Sequence, residues 1–311
     1  DLSNNHIQTL EKDSFTDNKH LKDIDLSLNY IQKLYGETFK SNINLEKLNI
    51  SNNFIPDLNE RPFSGLKGLR ILELSNNSLT SIIEGAVANL PALQGLFLSD
   101  NYLEEVSSNT FINLPSLNIL NLHNNGLQFF EPGTFDGLTS LIHLNLENNN
   151  IAELDGGAFQ QAKNLKYLQL NKNQIRRVSI DAFQGLPSLV NLELQDNLIA
   201  FIGNDETNRV LKKPVDQFID DQNFAIGGDK NNLDGRKKKS IGIFNDRNNN
   251  NRNGNEISLF GRLPELKFLN LSNNLLVDAP SALLKETPNL DVLDLSFNLI
   301  RLISDDSFGE L

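Results

Sequence analysis

The chain has 311 residues with no Cys, Met or Trp, and 28 Lys and Arg against 40 Asp and Glu give it a net charge of −12. That sign disfavours nucleic-acid binding on its surface, which draws its affinity from Lys and Arg displacing counterions from phosphates. No apolar run approaches the ~18 residues needed to span a bilayer, and with no Cys there is no disulfide framework to read.

The dominant feature is repetition. From the first residues onward, the pattern L-x-x-L-x-L-x-x-N closes on Asn5, Asn29, Asn53, Asn77, Asn101, Asn125, Asn149, Asn173 and Asn197, each 24 residues after the last. It resumes at Asn274 and Asn298, which makes about eleven copies. One clear copy runs Leu141, Leu144, Leu146, Asn149, Ile151, Leu154, Phe159, with Ala162 where the previous copy has Leu138. Self-similarity at this period means a solenoid, in which each unit buries its apolar face against its neighbours. The expected fold is therefore an α/β solenoid. The L-x-L core of each repeat predicts a short strand whose side chains alternate between core and solvent. Stacked in parallel, these strands form one sheet on the concave side, and the convex side is irregular. The asparagine sits where the chain turns out of the strand, and its amide can satisfy backbone groups that would otherwise be buried unpaired. Phe15, Phe39, Phe63, Phe111, Phe135, Phe159, Phe183, Phe260 and Phe308 share a later slot, filled by Val87 and Leu284 in the remaining repeats. They predict an aromatic spine packed inside the convex side.

The period, the Phe slot and phrases such as Gly133-Thr134-Phe135-Asp136-Gly137-Leu138 resemble the typical 24-residue leucine-rich repeats of animal extracellular proteins. That group includes chaoptin-like adhesion proteins and Toll-like receptor ectodomains. The resemblance implies a horseshoe-shaped leucine-rich-repeat fold, a secreted or cell-surface setting, and protein recognition or adhesion as the activity. Asp1 enters in mid-strand phase and Leu311 stops just short of the next strand. The expectation is an uncapped stretch of a longer protein, any membrane association lying in further segments.

Between Asn197 and Asn274 the step is 77, one repeat of 24 plus 53 residues. The expected organisation is repeats over 1–202, an inserted Asn/Lys-rich loop or island over 203–258, and repeats again over 259–311. The insert carries the basic cluster Arg236, Lys237, Lys238 and Lys239. A loop of this length is thermodynamically cheap, since closure entropy grows only logarithmically. An island that docks or builds a ligand site is the alternative.

On the concave sheet, three solvent-facing slots make rows across adjacent strands about 4.8 Å apart. One row reads Ser27, Ser51, Ser75 and Ser99, then His123, Glu147, Asn171 and Gln195, before returning to Ser272 and Ser296. The middle repeats thus leave the default pattern while keeping the core leucines. A partner-binding patch is expected at Phe97, Ile119, Asn121, His123, His143, Asn145, Glu147, Tyr167 and Gln169, where aromatic and apolar groups interrupt a polar surface. The partner is a protein ligand or a second copy of the chain. His123 and His143 lie on neighbouring strands but four residues apart along them, on the order of 13 Å, so no shared metal is expected. No nucleophile motif, phosphate loop or catalytic carboxylate pair occurs, so neither an enzyme nor a cofactor is expected. Glycosylation sequons fall at Asn49, Asn76 and Asn270.

Overall fold

The computed structural model describes residues 1–179, 181–202, 262–303 and 307–308. The L-x-L cores form three-residue strands: β1 (Asp23–Asp25), β2 (Lys47–Asn49), β3 (Ile71–Glu73), β4 (Gly95–Phe97), β5 (Ile119–Asn121) and β6 (His143–Asn145). After a two-residue β7 (Glu153–Leu154) come β8 (Tyr167–Gln169), β9 (Arg177–Val178), β10 (Asn191–Glu193), β11 (Phe201–Ile202), β12 (Phe268–Asn270) and β13 (Val292–Asp294). Ten of them form one parallel sheet in the order β1-β2-β3-β4-β5-β6-β8-β10-β12-β13. The eleventh repeat precedes it, where the N–H groups of Leu2 and Asn4 donate to the carbonyls of Asp25 and Ser27 at 2.8 and 2.9 Å.

Register follows the repeat without a slip. Asp23 pairs with Lys47 and His143 with Tyr167, 24 residues apart each time. Across the interruption Asn191 pairs with Phe268, so β10 and β12 are neighbours in the sheet although 77 residues separate them in sequence. The central leucine of each main-sheet strand from β2 to β12 is buried to 1% exposure or less. A one-residue slip would turn that whole row outward, which fixes the register.

The ladder asparagines act as anticipated. The Oδ1 of Asn53 accepts from the N–H of Ile31 at 2.9 Å, while its Nδ2 donates to the carbonyls of Leu26, Ile50 and Ser51. One carboxamide thus joins two repeats and satisfies four backbone groups. The residue before each ladder asparagine has a φ of 52 to 57°, and Asn or Asp, which tolerate the left-handed region, fills that position in all but Leu28, Lys172 and Phe297.

The spine is also present, except at Phe308, which is 37% exposed. Phe39, Phe63, Phe111, Phe135, Phe159 and Phe183 are fully buried. The rings of Phe111, Phe135 and Phe159 stack at 6.4 and 5.5 Å, and Phe15 stacks on Phe39 at 5.7 Å. Phe260 lies outside the described residues, as do the basic cluster Arg236 to Lys239 and the rest of the expected 203–258 insert.

Away from the main sheet, order exceeds expectation in two places. The two-residue strands β7, β9 and β11 make a second parallel ladder, with Leu154 and Val178 buried. Its registered pair Glu153 and Arg177 is also an ion pair at 2.6 Å, and Arg177 reaches Asp155 at 3.0 Å. A one-turn helix, α1 (Ser281–Leu284), follows Pro280, whose ring fixes φ at a helical value. It buries Leu283 and Leu284 in the core.

Candidate functional site

The sheet face carries the patch expected from the sequence, and the strands set its geometry. In-register parallel strands hold same-slot side chains about 4.8 Å apart, close enough for planar groups to stack. His143 and Tyr167 do so, with ring centroids 4.4 Å apart and planes 4° apart. Tyr167 and, two strands before it, Ile119 are each 38% exposed. Burial pushes the His143 imidazole below its ordinary pKa, which favours its neutral form.

The other patch residues divide by slot. Asn121 and Asn145 are half-buried, and each spends its Oδ1 on a backbone N–H two residues on, that of His123 at 3.0 Å and of Glu147 at 2.9 Å. Asp25, Asn49, Asn270 and Asp294 hold Ser27, Ser51, Ser272 and Ser296 in the same way. This local clamp terminates these strands. It shows that the asparagines are partly structural, which the sequence reading missed. The signal was available, since Asn, Asp or Glu recur at this slot. Gln169 shares the slot and is half-buried.

Phe97 is not the free anchor that its position suggests. Its ring is half-buried and lies over Gly95 of the same strand. A Cβ built on Gly95 would come within 2.9 Å of the ring's Cε2 and 3.1 Å of the Ile71 Cδ1. Gly95 is where the ring folds down, so Phe97 and Ile71 make a low apolar floor beside the more prominent Ile119.

His123 and Glu147 lie side by side, Nδ1 to Oε2, at 3.6 Å, and Lys172 reaches the other Glu147 oxygen at 2.8 Å. Burial acts to raise the Glu147 pKa, but Lys172, Asn171 and His123 together outweigh it and hold the carboxyl below its usual value. Among the described residues, no three His, Asp or Glu side chains converge as a metal-binding group.

A shallow recess of about 390 Å³ lies on the same face over β1 to β3, lined by Asp23, Asp25, Lys47, Asn49, Ile71 and Glu73. It sits to one side of the expected patch. Burial there raises the Glu73 pKa against two hydrogen bonds from Ser75. In Asp25 burial is outweighed by bonds from Ser27 and Asn49, so its pKa falls.

One exposed surface escaped the sequence reading. His6, Tyr30 and Phe54, each directly after a ladder asparagine, stack at 5.6 and 5.9 Å along the flank of the sheet. Tyr30 and Phe54 are 44% and 52% exposed. Their 24-residue spacing is visible in the sequence, but they lie outside the strand slots. Of the sequons, Asn76 is exposed, whereas Asn49 and Asn270 are half-buried in the clamp row.

Comparison with known proteins agrees with this architecture. The leucine-rich-repeat family pattern matches residues 1–42, 43–103, 91–151 and 143–199. No curated protein sequence matches the chain. Among solved structures, the chain is similar to the plant peptide hormone receptor RGFR1 in complex with RGF2, at 23% identity and a TM-score of 0.58. That match covers 92% of this chain, but the chain spans only 37% of the receptor's length. It is also similar to a leucine-rich-repeat protein of Leptospira interrogans, at 22% identity and a TM-score of 0.55, covering 97% of this chain and 67% of that one. At these identities the structural likeness is one of fold. The asparagine ladder, the registered ten-stranded sheet and the family match over residues 1–199 together make the chain a member of the leucine-rich-repeat family.

Proposed function

We propose that this solenoid is a cell-surface or secreted recognition module that holds a protein partner on its sheet face, and that its role is cell adhesion. The observation that carries the reading is the Ile119, His143 and Tyr167 cluster, where an isoleucine and a stacked ring pair stand out of a polar face. Exposed aromatic anchors with a polar rim are the usual makeup of an interface centre. The acidic surface favours a basic partner and disfavours nucleic acid. The test is aggregation of otherwise non-adhesive cells displaying the full-length protein. Wild-type cells clump, and cells carrying Ile119→Asp with Tyr167→Asp do not. Clumping that survives the double substitution would remove the sheet face from the account.

A second reading is a signalling-receptor ectodomain of Toll-like type, with residues 203–258 contributing to the ligand site. What favours it is where the extra chain is inserted. The ladder is unbroken across it, the Ile199 N–H donating to the Asn274 Oδ1 at 3.0 Å, so the repeats continue in register on either side of the insert. The matched plant receptor is titled as a complex with its peptide hormone. Deleting residues 203–257 separates the readings. Adhesion through the sheet face survives the deletion, whereas ligand-dependent signalling through the insert does not.

A further inference from the structure

In the default repeat the outermost slot of the sheet face is closed on itself. The hydroxyls of Ser27 and Ser51 donate to Asp25 and Asn49 at 2.6 and 2.8 Å, and the Ser75 hydroxyl donates to Glu73. From β5 to β10 the slot holds His123, Glu147, Asn171 and Gln195, and the closure is incomplete. Asn171 is 4% exposed, yet its Oδ1 has no hydrogen-bond partner. The neighbouring Gln195 donates its amide to Glu193 at 3.3 Å and leaves its Oε1 unpartnered. The Nδ1 of His123 is also unpartnered, at 3.6 Å from Glu147. The registered pairs Tyr167 with Asn191 and Gln169 with Glu193 place Asn171 beside Gln195, about 4.8 Å away.

Both amide oxygens are acceptors, and buried acceptors are ordinarily paired. The surrounding charge has one dominant sign. Among the described residues, Glu147, Glu193 and Asp196 supply three carboxylates at this end of the strands, and Lys172 supplies one ammonium, already bound to Glu147 at 2.8 Å. The group that answers this arrangement has several N–H donors, no acceptor and a positive charge. A guanidinium has five donors in a planar fork that can bridge two oxygens on adjacent strands, whereas a lysine ammonium is a compact point charge.

We propose that Asn171 and Gln195, flanked by Glu147 and Glu193, form a subsite for an arginine side chain of the partner polypeptide. The proposal rests on the sheet-face reading and names the chemistry of its partner. The guanidinium is admitted as the half-buried Gln195 side chain turns outward from Glu193. The His143 and Tyr167 pair, toward the other end of the same strands, takes an adjoining apolar residue of the same segment.

The test is a titration of the isotope-labelled chain with N-acetyl-arginine methylamide and, as control, its neutral isostere N-acetyl-citrulline methylamide. The readout is the side-chain amide NMR signals of Asn171 and Gln195. The arginine probe shifts both signals saturably and binds at least about tenfold tighter than the citrulline probe, since charge-assisted hydrogen bonds are the stronger class. Asn171→Ser with Gln195→Ser, followed at the backbone amide signals of Lys172 and Asp196 that the probe also shifts in the wild type, removes the response. Serine is the default residue of this slot and is buried there at Ser27, Ser51 and Ser99, so the variant keeps the fold. Equal responses to the two probes, or arginine-probe shifts that survive the double substitution, would overturn the subsite. If the arginine probe moves neither amide while Tyr167→Asp with Ile119→Asp still disperses clumped cells, the subsite falls and the sheet-face reading stands.

Discussion

The imidazole of His143 lies flat against the phenol ring of Tyr167, one strand away in the same slot, with 4° between the planes. The contact is a direct product of the 24-residue register. It also ties a titratable group to the centre of the proposed interface, because burial depresses the His143 pKa.

The sign of the resulting pH dependence is fixed. A histidine whose folded pKa lies below its unfolded value of 6.5 binds fewer protons folded than unfolded between the two pKa values, so stability rises with pH there. The contribution is fully present above the unfolded value and is lost as pH falls through the folded one. An NMR titration of the His143 ring should give a midpoint below 6.5. The gap in melting temperature between wild type and His143→Gln should narrow or reverse on going from pH 7.5 to pH 5. A midpoint above 6.5 would show that the pair is held as a cation.

The ladder asparagines and their exposed neighbours should differ sharply. Asn149 accepts from the Leu127 N–H and donates to the carbonyls of Leu122, Leu146 and Glu147. Asn149→Ala orphans these buried groups and should cost about 1–3 kcal/mol in urea unfolding. Asn148 is exposed, has a φ of 55°, and its side chain donates only to Asn124 at 2.8 Å. Asn148→Gly, which keeps the left-handed backbone free of strain, should stay within about 0.5 kcal/mol of wild type.

These residues mark how far the sequence could be read. Strand positions, register, ladder and spine follow from spacing alone, because a solenoid repeats the same local environment at each turn. What spacing could not supply is how neighbours on one surface share their bonds. Asn121 and Asn145 stood out as exposed polar residues, but each has one oxygen tied to the backbone two residues on. Phe97 stood out as an anchor, but the missing Cβ of Gly95 lets its ring lie down. The flank stack of His6, Tyr30 and Phe54 was periodic too, yet it belongs to the turn and not to the strand.

Gly95 and Phe97 should therefore behave as a coupled pair. Gly95→Ala places a methyl group 2.9 Å from the ring, which must swing off the strand. The cost should be about 1 kcal/mol or less, since the ring is at the surface and can move. In Phe97→Ala the same glycine substitution should cost measurably less. A double-mutant cycle by urea unfolding checks this, and strictly additive effects would mean that the ring does not rest on Gly95.

The sequons should be used unequally if the protein is secreted. The Asn49 carboxamide accepts from the backbone N–H and hydroxyl of Ser51 and donates to Asp25, and Asn270 accepts from the Ser272 N–H. Asn76 is exposed on the outside of the turn, and its side chain makes one bond, to Asn52 at 2.6 Å. Mass spectrometry of the chain secreted from a eukaryotic host should show higher glycan occupancy at Asn76 than at Asn49 or Asn270. Equal occupancy would mean that the clamp opens before the chain is modified.

The most direct test of the sheet face as the recognition surface sets it against the aromatic flank. Peptides enriched from a random display library on the immobilised chain would be titrated against Tyr167→Asp and, separately, against Phe54→Asp. The account predicts that they lose at least about tenfold in affinity to Tyr167→Asp and keep it with Phe54→Asp. Peptides that keep their affinity with Tyr167→Asp and lose it with Phe54→Asp would move the binding surface to the flank and contradict the account.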